Sequence, residues 1–360
     1  ELLVPYLLNQ KNLKMPHQSN ILLFLRALEK AQQDILFQNL KPTLEQFSAT
    51  VHESIESSEK LLSELNGKNK EEIHLITSLA KILLALGKAK EFFAKQSKWR
   101  DTGAAFLKSR EMQCDALEIL YANLQLFPIV EPYFRLPGNQ ALVDGMEVAG
   151  LEDKQLGICH RKKEHNHHDF SLYVPEYYKE RDDGWPLIVA LHGGYGQGRE
   201  YLWSWLRFAR SRGYLVLAPK SVGPTWSILQ PSVDTNSILA MLDKVGAEYH
   251  LDPAAVFLSG LSDGGTFSYI LGFTHPQKFA ALSPVAGVLS PMTDPLLRSG
   301  NGKMLPLHVV HGALDTIFPI QSARSTNQLL EKLGYDLTYT ELPDWGHALT
   351  YSVNENIVGP

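Results

Sequence analysis

The segment Gly260-Leu261-Ser262-Asp263-Gly264 constrains this chain more than any other stretch of its 360 residues. It follows a short apolar run, Ala255 to Ser259, and precedes Thr266 to Phe273, which reads as the start of a helix. A chain that passes from strand to helix through so sharp a turn folds the helix back against the strand. Glycines on both sides of the serine leave room for that approach. The pattern predicts a strand–turn–helix unit with Ser262 on a strained backbone. The string G-x-S-x-G also occurs by chance, so its meaning depends on what accompanies it.

What accompanies it is an ordered set. A serine hydroxyl is a weak nucleophile at neutral pH and needs a base within hydrogen-bond reach. The base needs an acid to hold its tautomer. Beyond Ser262, the strand Leu307 to His311 runs into Gly312-Ala313-Leu314-Asp315, and the strand Leu337 to Leu342 runs into Pro343-Asp344-Trp345-Gly346-His347. Asp315 is expected as the acid and His347 as the base, each just past a strand, where open α/β sheets bind ligands. Asp344 is the rival acid, in the same loop as His347, and Asp294 reads as a loop residue before a proline. His308 and His311 compete as base, but their places within and at the end of a strand suit structural roles. Upstream, the strand Leu187 to Leu191 leads into His192-Gly193-Gly194-Tyr195-Gly196. A glycine-rich turn there frees backbone N–H groups to meet a developing oxyanion. Gly194 is the expected donor, Tyr195 the alternative, and Asp263 the second donor. His192 is expected to brace this turn by hydrogen bonding.

On these four motifs, the part of the chain from about residue 140 onward resembles the α/β-hydrolases, and within them the phospholipase/carboxylesterase branch that includes acyl-protein thioesterase-like enzymes. The resemblance implies a mainly parallel sheet, no metal, no organic cofactor, and hydrolysis of carboxylic ester or thioester bonds. Its expected roles are Ser262 as nucleophile, His347 as general base and Asp315 as the acid that orients it. A serine peptidase would use the same triad. A non-catalytic binding protein would be expected to have lost a triad member, and none is lost. Trp226, in the loop after the strand Tyr214 to Ala218, is expected either to wall the substrate pocket or to pack on the domain. Phe318 and Trp345, beside the acid and the base in sequence, are expected to line the same cleft.

The chain divides into unlike halves. Up to about Phe127, prolines and glycines are few and apolar residues recur at helical spacing: Leu44, Phe47, Val51, Ile55, Leu62 and Leu65 share one face. Similar stripes run through Ile21 to Leu40, Ile73 to Phe93 and Ala104 to Leu126. The expected architecture is an all-α helical bundle over residues 1–127, a proline-rich linker over 128–139, and an α/β-hydrolase domain over 140–360. The bundle carries no residue of obvious chemistry. It is expected to stabilise the hydrolase, pair two copies, or cap the site. The second half alternates strands with helices, among them Tyr201 to Arg212, Asp234 to Tyr249 with Asp234 as N-cap, and Gln321 to Leu333.

Charge and cysteine usage narrow the partners. A net charge of −5 predicts no nucleic-acid surface. No apolar run reaches the ~18–20 residues that span a bilayer. The two cysteines, Cys114 and Cys159, make no disulfide framework and favour a reducing, cytoplasmic setting. The chain starts at Glu1 rather than Met, which leaves export open. His160, His165, His167, His168 and Asp169 cluster in a polar turn without the spacing of a tetrahedral metal site, so a solvated hairpin turn is expected there rather than a zinc or copper site. The expected partner is a small-molecule ester.

Overall fold

The computed structural model describes residues 11–34, 49, 99–136 and 155–347. The chain forms two compact units, Glu1–Phe134 and Arg135–Pro360. In the first unit, α1 (Lys11–Asp34) buries Ile21, Phe24, Leu25 and Leu28, and α2 (Trp99–Ala122) buries Met112, Ala116, Leu117 and Leu120. Each set recurs at spacings of three and four, the stripe that lets one helix face leave water. The helical stripes expected over Leu44 to Leu65 and Ile73 to Phe93 lie outside the described residues. The chain after α2 does not run free at Pro128. A short 3-10 turn, Glu131–Phe134, folds Val130, Tyr133 and Phe134 into the first unit, each under 5% exposed. Aromatic burial there outweighs the turn-forming prolines that suggested a linker.

The second unit is built on one sheet. Its strands are β1 (Gly157–Arg161), β2 (Phe170–Val174), β3 (Trp185–Leu191), β4 (Leu215–Pro219), β5 (Leu251–Leu261), β6 (Ala281–Val285), β7 (Leu307–Gly312) and β8 (Leu337–Leu342). Their spatial order among the described residues is β1-β2-β4-β3-β5-β6-β7-β8. β1 and β2 pair antiparallel, as do β2 and β4, and every later pairing is parallel. Between them lie α3 (Gly198–Arg212), α4 (Ser232–Glu248), α5 (Asp263–Thr274), α6 (Asp294–Ser299) and α7 (Ile320–Lys332). β3 shows why the parallel strands read as continuous apolar runs: Leu187, Ile188, Val189, Ala190 and Leu191 are all fully buried. Burying each large side chain of such a strand contributes about 1.5–3 kcal/mol, which fixes the sheet as a rigid platform.

This topology decides where function can sit. Parallel strands end on one edge, so the loops after β3, β5, β7 and β8 share it, although the residues they carry span some 150 positions of sequence. One expectation shifts in detail. α4 begins at Ser232, so Asp234 lies inside its first turn rather than capping it. Pro231 takes the cap position, and the Asp234 side chain bonds elsewhere.

Candidate active site

β5 delivers Ser262 to the sheet edge on a backbone that only the surrounding structure can hold. Its φ is 58° and its ψ −120°, a conformation outside the ordinary range of a residue with a side chain. Such strain costs on the order of 1–3 kcal/mol and persists where packing enforces it. The enforcement is visible. Ser262 N–H donates to Val285 O (2.9 Å) and Ser262 O accepts from Thr266 N–H (2.8 Å), tying the turn to β6 and to α5. A Cβ on Gly260 would run into the carbonyl of Gly264, and one on Gly264 into the carbonyls of Leu191 and His192. Both flanking glycines are therefore required by close approach of backbone to backbone.

Asp315 and His347 meet on the same edge. Asp315 is buried at the end of β7, and its Oδ2 accepts a 2.7 Å hydrogen bond from His347 Nδ1. With Nδ1 as donor, Nε2 of His347 keeps its lone pair and is the nitrogen able to take a proton. The two loops are laced together: Ala313 N–H donates to Leu342 O (2.9 Å) and Leu314 N–H to Trp345 O (2.8 Å). A Cβ on Gly312 would strike the carbonyls of Trp345 and Gly346, so glycine is needed where these loops cross. Phe318 sets its ring edge-to-face against His347, with centroids 5.4 Å apart.

The turn after β3 lies against the serine; a Cβ on Gly193 would stand 3.5 Å from Ser262 Cβ. The Gly193 carbonyl accepts from His192 Nδ1 (2.7 Å) and from Gly196 N–H (3.0 Å). A trans peptide places the next N–H opposite its carbonyl, so these two bonds also fix the direction of Gly194 N–H. Asp263 is the first residue of α5, where the N–H has no partner within the helix. Tyr195, the alternative donor, is ruled out on geometry. Its N–H donates to Pro224 O (2.8 Å), and its ring is 70% exposed.

Residues 234–357 match the family model described as Phospholipase/Carboxylesterase. Over those residues the second unit resembles that family, and its mainly parallel sheet fits the α/β-hydrolase fold. A bifunctional acetylxylan esterase/xylanase of Neocallimastix patriciarum is 30% identical over 160 residues, covering 42% of this chain and 22% of that protein. Acyl-protein thioesterase 1 of Gibberella zeae is 27% identical over 99 residues, covering 27% and 42%. Both matches cover less than half the length of the relative. Among solved structures, an acetyl xylan esterase from Aspergillus awamori superposes with a TM-score of 0.45 at 18% identity, covering 56% of this chain and 97% of that one.

Of the two roles open to Trp226, the structure shows packing on the domain. It is 2% exposed, donates from Nε1 to His192 O (2.7 Å), and stacks on Phe267 with centroids 5.4 Å apart. The loop tryptophan turns inward because α5 offers an aromatic face and β3 a carbonyl, satisfying both its ring and its N–H. Trp345 is half-buried beside the base and contributes its carbonyl to the loop crossing. In the β1–β2 hairpin, His160 pairs with Ser171 Oγ (2.8 Å) and His167 Nδ1 donates to His168 O (2.8 Å). Among the described residues no group of three or more His, Cys, Asp or Glu side chains is placed to hold a metal ion.

Sequence reasoning undervalued His311. Its ring is fully buried, with Nε2 2.7 Å from Phe318 O and 3.3 Å from Asp315 Oδ2. A carbonyl only accepts, so Nε2 carries the proton. Asp315 thus receives two imidazole N–H groups on Oδ2 and the backbone N–H groups of Ile317 and Phe318 on Oδ1 (2.8 Å each). Burial raises the Asp315 pKa, but the hydrogen bonds from His311 and His347 outweigh it and hold the carboxyl well below the usual range. These bonds favour the charged carboxylate at Asp315. His192 is the reverse case: burial lowers its pKa to about 4, so it stays neutral, accepting from Ser221 N–H at Nε2 (3.1 Å) and donating from Nδ1.

Proposed function

We propose that this α/β-hydrolase is a serine esterase that cleaves carboxylic esters of short to medium acyl groups. The observation that carries the reading is the pairing of a strained Ser262 elbow with a buried, charged Asp315 bound to His347 Nδ1 on one sheet edge. In the proposed cycle, Ser262 Oγ attacks the ester carbonyl as His347 Nε2 takes its proton. Asp315 holds the tautomer and balances the imidazolium. The N–H groups of Gly194 and Asp263 receive the tetrahedral oxyanion. His347 then protonates the leaving alcohol, and water repeats the sequence on the acyl-enzyme, so the triad is regenerated. Relatives described as acetylxylan esterases support a short acyl group. The reading extends to a reducing compartment, supported by two buried cysteines, Cys114 and Cys159, neither of which forms a disulfide.

The test is hydrolysis of p-nitrophenyl esters from acetate to palmitate by the wild type and Ser262→Ala. The variant should lose at least about a thousandfold in kcat with an unchanged circular dichroism spectrum. Turnover within tenfold of wild type would refute the assignment of Ser262.

A further inference from the structure

Asp234 is the buried acid that the proposed cycle does not use. It is 1% exposed, in the first turn of α4. Oδ1 accepts from Val222 N–H (2.8 Å), and Oδ2 accepts from Ser227 N–H and the Ser227 hydroxyl (2.7 Å each). These partners are all uncharged. A carboxylate taken out of water is strongly destabilising unless such donors, together with the positive end of a helix, replace its hydration. What the arrangement achieves is a closed loop, because the bonds reach both Val222 and Ser227.

The segment held this way is bonded to residues on both sides of Gly194 and to the side chain of Asp263. Just ahead of it, Ser221 N–H donates to His192 Nε2 (3.1 Å). Pro224 O accepts from Tyr195 N–H (2.8 Å). Thr225 Oγ1 donates to the side chain of Asp263 (2.5 Å), and Trp226 Nε1 to His192 O (2.7 Å). One loop therefore grips both the turn that carries Gly194 and the residue that follows Ser262.

We infer that Asp234 is a positioning residue for the oxyanion hole, acting through the clamped loop Val222–Ser227 on the N–H groups of Gly194 and Asp263. The inference rests on the serine-esterase reading above. An amide at this position offers one acceptor oxygen and adds two donors, so Asp234→Asn must turn an NH2 group toward Val222 N–H or Ser227 N–H and release that end of the loop.

The experiment uses the full chain with p-nitrophenyl acetate, active sites titrated by a fluorophosphonate, and inhibition by a trifluoromethyl ketone, whose hemiketal oxyanion occupies the same hole. Asp234→Asn should lower kcat per titrated site about 10- to 100-fold, the range expected when a catalytic donor is displaced. KM should stay within threefold, and Ki for the ketone should rise in parallel with the loss of kcat. A variant whose kcat per titrated site and Ki both stay within twofold of wild type overturns the inference, even if its melting temperature falls. Should Asp234→Asn fail to fold, Ser227→Ala carries the test, since it removes one donor and keeps the charge. Its expected effect is a 3- to 10-fold loss of kcat with the same parallel in Ki, and unchanged values again overturn the inference. A wild type that neither turns over esters nor reacts with the fluorophosphonate refutes the esterase reading instead.

Discussion

Replacing Asp315 by Asn tests the electrostatic logic of the site. Four donors converge on this side chain: Ile317 and Phe318 N–H on Oδ1, His347 Nδ1 and His311 Nε2 on Oδ2. Asparagine has one oxygen, so it must choose. Turning its NH2 group toward the backbone leaves two buried N–H groups unpaired, each costing about 1–3 kcal/mol. Turning its oxygen there instead costs less and points the NH2 group at His347. A donor now faces a donor, and His347 is driven to carry its proton on Nε2. In that tautomer it cannot accept the proton of Ser262. Wrong-tautomer triads lose about four decades of kcat, which corresponds to about 5.5 kcal/mol of barrier. The assay is p-nitrophenyl acetate hydrolysis corrected for the Ser262→Ala blank, with the folded fraction followed by circular dichroism. Residual activity should climb with pH as hydroxide replaces the lost base. Asp315→Asn turnover within tenfold of wild type, in folded protein, would refute both the acid assignment and the tautomer argument.

Two further outcomes follow from the same geometry. Trp226→Phe keeps the stack on Phe267 but leaves His192 O without its 2.7 Å donor, so stability should fall by about 1–3 kcal/mol in urea titration while the optimal acyl length in the ester series stays where it was; a shifted optimum would return Trp226 to the pocket. His192, with a folded pKa of about 4 against about 6.5 unfolded, binds fewer protons when folded, so its contribution is intact above pH 6.5 and is lost as pH falls toward 4. The loss is on the order of 3 kcal/mol, read as the pH dependence of the urea midpoint, and the same slope in His192→Gln would refute its origin in this ring.

How much of this was legible in advance depended on the range of each interaction. The glycine spacing around Ser262 is a local demand, since the helix cannot fold back past a Cβ, and it could be read directly. The placing of Ser262, Asp315 and His347 in loops that follow strands was legible because strand periodicity marks where each loop begins. Trp226 was open between two roles because composition cannot say whether a loop aromatic faces solvent or core. Asp234 looked like a helix cap because its local sequence fits one, yet its partners lie seven and twelve residues back in the preceding loop. His311 could be recognised as structural, but its second bond to Asp315 depends on how β7 and the loop after it are folded.

The sequence by itself determined the strand–turn–helix elbow, the alternation that makes a parallel sheet, the amphipathic stripes of α1 and α2, and the residue types available for chemistry. These follow from backbone sterics and from the 2.0 and 3.6 periodicities, which act over a few residues. Only the tertiary structure decided that Asp315 rather than Asp344 holds His347, that Tyr195 N–H is engaged by Pro224, that Trp226 is buried, and that one buried carboxylate closes the loop from Val222 to Ser227. Each of those outcomes turns on which donor meets which acceptor across the sheet edge, and that is set by strand order and register, which no local pattern encodes.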